Sequence, residues 1–413
     1  MKYAIITYGS RGDVQPYIAL SLGLMDRGHT VTLLAPENFK DFVIGYGVPF
    51  YPLSGNVEEL LYSPEGLRVL KTGSTVSLLR YLQKGGRELQ PLVNRDMISG
   101  STNADILIAS VLTAVWVRTI AEKLNKKWGI VQLSLPTTPT KEFPFAGLAF
   151  FNFPFYNIFS YWLINTIYWQ LNKKGMNEFR KSLGLPKGVR DSSSYNVLNL
   201  YLFSPQLVNK LKDWNSNSDI VGYLTLPASK NGAYQIDEGL TEWLQNGEAP
   251  IYIGFGSIPI PDPNLFCKIV NEIISQTQYR IIFCKGWSNI SDLVPHPNLF
   301  VVKSVNHQWL FPQCKAAVIH GGAGTTAAAL KAKISLIVVS VFADQPWWGK
   351  IIEDKELGVH IPFKKLTLQK LMKAIGVVQQ SQVLKNIAEI GERIDCEDPL
   401  NKALDTIENY FIS

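Results

Sequence analysis

Residues 320–345 decide the fold, and they read His-Gly-Gly-Ala-Gly-Thr-Thr-Ala-Ala-Ala-Leu-Lys-Ala-Lys-Ile-Ser-Leu-Ile-Val-Val-Ser-Val-Phe-Ala-Asp-Gln. The apolar run Ala316–Ile319 just before them predicts a buried strand, and Thr325–Lys333 predicts a helix. A strand, a glycine-rich turn and a helix start, in that order, aim free backbone N–H groups and the positive end of a helix dipole at an anion. The stretch therefore predicts an α/β sheet with an anion-binding turn.

Three glycines, Gly321, Gly322 and Gly324, occupy this turn. A Cβ atom there would keep the backbone from approaching a phosphate. Asp344 and Gln345 follow a second apolar strand, Ser335–Val341, and open α/β sheets bind ligands at the carboxyl ends of their strands. A phosphate-binding turn followed by an acid and an amide suggests a sugar attached to a diphosphate as the ligand.

His320 ends the strand directly before the glycines. A buried histidine with its hydrogen bonds satisfied is the ordinary interpretation, but at this point of the turn its ring could also donate to a phosphate oxygen. Ser257, in Gly254-Phe255-Gly256-Ser257, is a weaker candidate. A plain strand-to-loop turn explains that motif as well as a phosphate contact does.

Two parts of the chain begin in the same way. Residues 3–35 predict a strand, a glycine-containing turn, a helix and a strand, and residues 250–284 repeat that plan. This alternation is typical of parallel sheets with helices on both faces. We therefore expect two doubly wound, Rossmann-like α/β domains facing each other across a cleft. The expected organisation is a first domain over 1–214, a linker rich in Asn, Ser, Gly and Pro over 215–246, a second domain over 247–395, and a C-terminal helix over 396–413 that could pack back on the first domain.

Composition narrows the class of protein. The chain has 413 residues, 46% of them hydrophobic and 18% charged, which is ordinary for a globular protein of two domains. Its four cysteines lack metal-ligand spacing, so we expect neither disulfides nor zinc, and a reducing cytoplasm. The sequence opens on the predicted strand Lys2–Thr7 rather than on a basic-then-apolar pattern, so we expect that the protein is not secreted. The net charge of +6 suits an anionic substrate or lipid surface without deciding between them, and no basic run suggests nucleic acid.

The first turn reads Gly9-Ser10-Arg11-Gly12-Asp13-Val14-Gln15-Pro16. Its glycine spacing differs from the dinucleotide fingerprint, so a nicotinamide enzyme is disfavoured. Asp13 fits a helix N-terminus, where aspartate is a favoured capping residue. It equally fits a general base at the end of a strand, and the two roles are compatible.

Several motifs are missing from the sequence. It contains no Asp-x-Asp pair for a metal, no Gly-Lys-Ser/Thr phosphate loop and no Gly-x-Ser-x-Gly elbow. Nucleotide hydrolysis and acyl transfer are therefore disfavoured. Without a divalent cation, a leaving diphosphate must be stabilised by backbone amides, a helix N-terminus and a histidine or arginine, and the turn after Ile319 supplies such groups. We expect no metal and no cofactor.

The segment 143–171 is unusually aromatic, with twelve Phe, Tyr or Trp residues in twenty-nine positions and no charged residue. It is long enough to span a bilayer, but its prolines and asparagines are unfavourable in a lipid-facing helix. Hydrophobic core, an apolar wall for a ligand, and a membrane-contacting face are the alternatives. As acceptor-binding candidates we take these residues of the segment: Phe143, Phe145, Phe150, Phe153, Tyr156, Tyr161 and Trp162.

Taken together, these motifs resemble those of a known family. The chain is similar to nucleotide-sugar-dependent glycosyltransferases of the two-Rossmann-domain (GT-B) type, closest to the sterol glucosyltransferases and bacterial antibiotic glycosyltransferases. The resemblance covers essentially the whole chain and is carried by five motifs: Gly9–Pro16, Asn177–Pro186, His307–Gln313, His320–Thr326 and Phe342–Gly349.

The resemblance implies a role for each matching residue. Asp13 matches the catalytic base, Asp344 and Gln345 match the pair that holds the sugar hydroxyls, and Val305 lies in the loop that cradles the uracil. Ala328 stands where plant relatives carry a ribose-binding Glu, so ribose recognition must differ here. The remaining donor-binding residues that the resemblance implies are Ser10, Arg11, Gly12, Ser257, His320, Gly322, Ala323, Gly324 and Thr325.

The implied activity is inverting, metal-independent transfer of a hexose, glucose first, from a UDP-sugar to a hydroxyl of a hydrophobic acceptor such as a sterol, triterpenoid or polyketide. We expect the protein to be cytoplasmic, with peripheral membrane contact as a further possibility. A UDP-sugar epimerase of the same fold and a non-catalytic lipid- or sterol-binding protein are the alternatives. The aromatic segment speaks against an epimerase. The joint presence of Asp13, His320, Asp344 and Gln345 speaks against lost activity.

Overall fold

The structure of the protein is a computed structural model that describes residues 1–72, 75–133, 136–146, 148, 151–188, 197–226, 237–286, 288, 290 and 292–412. The chain forms two compact units. The first comprises Met1–Val57, Gln83–Asn231 and Asp398–Ser413, and the second comprises Glu58–Leu82 and Gly232–Glu397.

The first unit is built on a parallel sheet. Its strands are β1 (Lys2–Ile6), β2 (Thr30–Pro36), β3 (Phe50–Leu53), β4 (Ile106–Ala109), β5 (Lys127–Gln132), β6 (Leu198–Tyr201) and β7 (Ser218–Ile220). Over the described residues the strand order is β3-β2-β1-β4-β5-β6-β7. Strand β4 is buried along its whole length, as expected for a sheet covered on both faces. The order reverses between β1 and β4, and such a reversal opens a crevice at the carboxyl ends of these strands.

The second unit repeats this design. Its strands are β8 (Ile251–Gly254), β9 (Ile281–Cys284), β10 (Leu299–Val302), β11 (Ala316–Ile319), β12 (Ser335–Ser340) and β13 (Gly358–Pro362). In the described part of the chain the order is β10-β9-β8-β11-β12-β13, again parallel. The reversal now falls between β8 and β11. The predicted fold class, two doubly wound Rossmann-like sheets, is confirmed.

Helices connect the strands. In chain order they are α1 (Arg11–Asp26), α2 (Lys40–Ile44), α3 (Val57–Tyr62), α4 (Pro64–Thr72), α5 (Thr75–Ser101), α6 (Ala114–Leu124), α7 (Pro154–Ser182), α8 (Glu238–Gln245), α9 (Pro263–Gln276), α10 (His307–Leu310), α11 (Ala323–Lys331), α12 (Gln345–Asp354), α13 (Leu368–Val377), α14 (Ser381–Asp395) and α15 (Pro399–Phe411).

Some elements differ from the sequence expectation. Helix α11 begins at Ala323, two residues before the predicted Thr325, because its first turn includes the glycine-rich motif. The region 215–246 contains strand β7 and helix α8, and residues 58–82 group with the second unit. Most of the aromatic segment forms α7. Over the residues that the structure describes, no helix is long and apolar enough to cross a bilayer.

The C-terminal helix α15 packs on α1 in the first unit. Gly23 of α1 permits this contact, because a Cβ atom there would lie 2.8 Å from Leu400 Cδ1 and 2.9 Å from Leu404 Cδ1. Arg27 and His29 reinforce it at the surface, where Arg27 Nη1 lies 2.6 Å and His29 Nε2 lies 2.8 Å from the carboxylate of Glu408. Ion pairs at a protein surface typically contribute about 0–1 kcal/mol, so close packing at Gly23 is the main contact.

Replacing Gly23 with Val should therefore lower the free energy of unfolding by about 1–3 kcal/mol, the usual cost of overpacking. Gly376→Val is the matched control, since Gly376 also lies in a helix but has open space where its Cβ would be. Urea unfolding compares the two variants, and equal losses of stability would contradict the prediction.

Candidate active site

The carboxylate of Asp13 is fixed in the turn that follows β1. Its Oδ2 accepts hydrogen bonds from the backbone N–H of Ser10 at 2.7 Å and from the Ser10 hydroxyl at 3.0 Å. The Thr7 hydroxyl donates to the backbone carbonyl of Asp13 at 2.8 Å. Asp13 is the third residue of α1, and the hydrogen bond from the Ser10 N–H to its carboxylate also caps the N-terminus of this helix. The capping role and a chemical role are thus compatible in the structure.

Gly9 makes room for this carboxylate. Its φ is +143°, and a Cβ atom there would lie 2.4 Å from Asp13 Oδ2. Any other residue would displace the carboxyl group or the turn. The local sequence pattern indicates Asp13, whereas the contributions of Thr7 and Gly9 depend on contacts that no local pattern encodes.

Burial raises the pKa of the Asp13 carboxyl above its ordinary value, and the two hydrogen bonds from Ser10 oppose that shift. A raised pKa brings a carboxylate closer to the range in which it can accept a proton from an alcohol. The side chain is half-buried, so part of it stays accessible.

The other predicted donor contacts of the first unit lie around the same turn. Gly12 is exposed, and Ser10 and Arg11 are half-buried. The Arg11 guanidinium lies over the Phe42 ring, 4.4 Å from its centroid. That cation–π contact holds the guanidinium on the surface of the first unit.

In the second unit, His320 lies at the end of β11. It is buried, and its ring stacks on Phe255 with a centroid distance of 6.4 Å. Within the described part of the chain its buried Nδ1 has no hydrogen-bond partner. Burial lowers the pKa of His320 to about 4. The imidazole is therefore neutral near pH 7 and has one N–H to donate.

The glycines that follow hold this ring in place and leave the helix end open. A Cβ atom on Gly322 would lie 2.3 Å from His320 Nε2, and one on Gly321, whose φ is +90°, would lie 2.7 Å from Val338 Cγ1. Gly322 is the N-cap of α11, and among the described residues no side chain caps this helix. The N–H groups of the first turn, which includes Ala323, Gly324 and Thr325, have no intrahelical partner and can bind an anion.

Backbone contacts bring two further predicted regions to this turn. Strand β8 pairs with β11 so that Gly254 lies opposite Ile319, and the half-buried Ser257 lies three residues after the end of β8. The Gly286 N–H donates to the Lys303 carbonyl at 3.0 Å, which ties the loop that leads to the half-buried Val305 to the end of β9. Gly286 has a φ of +54° and lies so close to Gly256 that no Cβ fits between them.

Asp344 and Gln345 follow β12 and begin α12. Gln345 is buried, with its backbone 3.4 Å from the position of a Gly321 Cβ, and its Oε1 accepts hydrogen bonds from the N–H groups of Val341 and Phe342. Asp344 is half-buried and accepts a hydrogen bond from Trp348 Nε1 at 3.1 Å. The preceding Ala343 has a φ of +55°, and such strain occurs preferentially at functional sites. The structure therefore groups Ser257, Val305, the His320 turn and this corner on one edge of the second sheet.

The predicted acceptor-binding residues divide into three groups. Phe143, Phe145 and Tyr156 are half-buried, and the Tyr156 hydroxyl donates to the Leu148 carbonyl at 2.7 Å. Tyr161 is buried and packs edge-to-face on Phe145 with a centroid distance of 5.7 Å, so it supports Phe145 from within. Phe153 and Trp162 are exposed by 48% and 51%. The prediction for Phe150 falls outside the described residues.

Comparison with known proteins defines the class. The glycosyltransferase family 28 N-terminal domain model matches residues 3–144, and the erythromycin biosynthesis protein CIII-like C-terminal domain model matches residues 280–394. The solved glycosyltransferase of kitacinnamycin superposes with a TM-score of 0.72 at 15% identity, covering 99% of this chain and 98% of that one. The calicheamicin glycosyltransferase CalG4 gives a TM-score of 0.67 at 14% identity and similar coverage. The fold is that of the GT-B glycosyltransferases.

Sequence relatives place the chain within that class. The Arabidopsis thaliana sterol 3-beta-glucosyltransferases UGT80A2 and UGT80B1 are 36% and 34% identical over 96% and 100% of this chain, which covers 64% and 68% of their lengths. The Sclerotinia sclerotiorum sterol 3-beta-glucosyltransferase is 32% identical over 98% of this chain, which covers 29% of that protein. This chain belongs to the sterol 3-beta-glucosyltransferase family.

The open side of the α11 N-terminus provides a direct test of the anion-binding turn. A Cβ atom on the exposed Gly324 meets nothing within 4 Å, so Gly324→Ala should raise the thermal midpoint slightly through its helix propensity. It should also weaken UDP binding at least tenfold in calorimetry, because that Cβ would occupy the space where the sequence predicts a phosphate. Gly376→Ala, at an equally open helical glycine, should gain stability and leave UDP binding unchanged. Full UDP affinity in Gly324→Ala would rule out a phosphate at this position.

The low pKa of His320 predicts an acid-sensitive contribution to stability. Its folded pKa of about 4 lies below the ordinary value of about 6.5, so the unfolded chain takes up the proton first as the pH falls. This contribution is present above about pH 6.5 and is lost as the pH falls towards about 4. Denaturant unfolding at about pH 6.5 and about pH 4 measures how much the free energy of unfolding falls on acidification. This decrease should be smaller in His320→Gln than in the wild type. The exposed His296→Gln is the control, and an acid loss in His320→Gln as large as in the wild type would contradict the assignment.

Proposed function

We propose that this protein transfers glucose from UDP-glucose to the hydroxyl group of a hydrophobic acceptor, a sterol in the first instance, with inversion at the anomeric carbon. One observation carries the proposal: the carboxylate of Asp13 is held in a turn that excludes any larger residue at position 9. The plant and fungal relatives are sterol 3-beta-glucosyltransferases, which supports a sterol as acceptor and glucose as sugar.

The donor diphosphate binds at the N-terminus of α11 in this proposal. The free N–H groups of Ala323, Gly324 and Thr325 and the positive end of the helix dipole offset its charge. His320 donates a hydrogen bond as a neutral imidazole, because burial keeps its pKa near 4. These groups stabilise the leaving UDP without a metal ion, and we propose that none takes part.

The sugar is held beside this turn. Asp344 accepts hydrogen bonds from sugar hydroxyls, while Gln345 donates through its Nε2, because its Oε1 already accepts two backbone N–H groups. Ser257 contacts the diphosphate, and Val305 lies against the uracil.

Asp13 acts as general base. Its carboxylate removes the proton of the acceptor hydroxyl while that oxygen attacks the anomeric carbon and the bond to UDP breaks. A single displacement of this kind inverts the configuration. The raised pKa of Asp13 makes its carboxylate a stronger base. Catalysis then requires a pH above this pKa, at which the carboxyl group is ionised.

The half-buried Phe143, Phe145 and Tyr156 form the apolar wall for the acceptor. A cytoplasmic location is supported by the four cysteines, all of which are free. Hydrophobic acceptors partition into lipid, so we also propose peripheral contact with a membrane.

The base is tested by Asp13→Asn, which keeps the size of the side chain and an acceptor for the Ser10 N–H. Turnover of UDP-glucose with a sterol should fall about 10²–10⁴-fold, while UDP affinity stays within about twofold of wild type. The thermal midpoint should not fall, because the ionised carboxylate that is removed is disfavoured by its surroundings, as its raised pKa shows. Asp26→Asn, at the exposed end of the same helix, should retain wild-type turnover. Near-normal turnover in Asp13→Asn would remove the assigned base.

A further inference from the structure

One face of α7 presents an exposed apolar stripe. Its residues Phe155, Ile158, Phe159 and Trp162 are spaced by three and four positions, so they project from one side of the helix. Phe155 is 80% exposed, and the other three are exposed by 38–51%. Phe159 and Trp162 stack with a centroid distance of 5.6 Å, which joins the stripe into one surface.

The opposite face of α7 fixes the direction of this stripe. Asn157 and Ser160 are buried there. Asn157 Nδ2 donates to the Lys141 carbonyl at 2.8 Å, and Ser160 Oγ accepts from the Phe145 N–H at 2.7 Å. These bonds hold that face of α7 against the loop 141–145, so the stripe on the opposite face points away from this loop.

Lysines extend the same side of the helix. Eighteen residues make five turns, so Lys173 projects in the same direction as Phe155, about 27 Å further along the axis. Lys174 is its neighbour, and both are exposed. The sequence has no acidic residue from 143 to 177. The aromatic end of this face therefore suits the acyl region of a bilayer, and its basic end suits anionic headgroups.

We propose that this stripe is a membrane-docking surface that inserts its aromatic side chains at the interface of an anionic bilayer. The choice of a membrane as partner rests on the proposed function, since a hydrophobic acceptor is supplied from lipid. A second copy of the protein is a poorer partner, because the stripe has no acidic group to pair with the lysines of another copy.

Vesicle sedimentation without sugar donor or acceptor tests the stripe independently of catalysis. With phosphatidylcholine vesicles that contain one third phosphatidylglycerol, Phe155→Ser/Ile158→Ser/Phe159→Ser should bind at least tenfold less than the wild type. The control is Leu265→Ser/Val294→Ser/Leu384→Ser, which replaces three exposed apolar residues elsewhere and should bind like the wild type. Circular dichroism checks that each variant is folded.

The basic end is tested separately. Lys173→Gln/Lys174→Gln should weaken binding to the anionic vesicles several-fold at low salt and leave binding to pure phosphatidylcholine unchanged. Lys364→Gln/Lys365→Gln, at two other exposed lysines, controls for net charge.

Three results would overturn the proposal. One is a wild-type protein that does not bind the anionic vesicles, and another is a stripe variant that binds as well as the wild type. The third is a wild-type dimer that the stripe substitutions convert to a monomer in sedimentation velocity, because the stripe would then be an interface between two copies. If Asp13→Asn retains turnover while the stripe variant loses vesicle binding, the proposed function fails and the docking surface stands.

Discussion

A parallel sheet imposes one constraint on which the rest of this structure depends. All its strands run in one direction, so every strand ends at the same edge. In the second unit that edge collects Ser257 after β8, His320 after β11 and Asp344 after β12. In the first unit it places Asp13 at the reversal of strand order between β1 and β4. Residues far apart in the sequence thus become neighbours because their strands pair.

Burial then sets the electrostatics of both turns. It raises the pKa of Asp13 and lowers the pKa of His320, so in both residues burial favours the uncharged form of the side chain. The hydrogen bonds from Ser10 favour the charged carboxylate, whereas His320 has no such partner for its Nδ1 among the described residues. Ser10 therefore stabilises the ionised form of Asp13 against the effect of burial, whereas burial keeps His320 neutral near pH 7.

The sequence predicted the sheets and the turns because both depend on local pattern. Buried strands such as Ala316–Ile319 are short apolar runs, and the glycines before α11 mark their own turn. The close contacts were not predictable, since the fit of Gly9 to Asp13 and of Gly286 to Gly256 depends on exact distances between backbones. Composition also did not predict which residues of the aromatic segment 143–171 are buried and which are exposed. Which residues are buried depends on the polar anchors Asn157 and Ser160, which lie on the face of α7 opposite the stripe.

The position of α15 has a consequence for how the chain folds. This helix completes the first unit, yet it is synthesised after the whole second unit, and the chain passes between the two units four times. The contact of Gly23 with Leu400 and Leu404 joins segments separated by almost the full chain length. On the ribosome, the first unit therefore waits with part of its α1 surface uncovered until the last helix emerges.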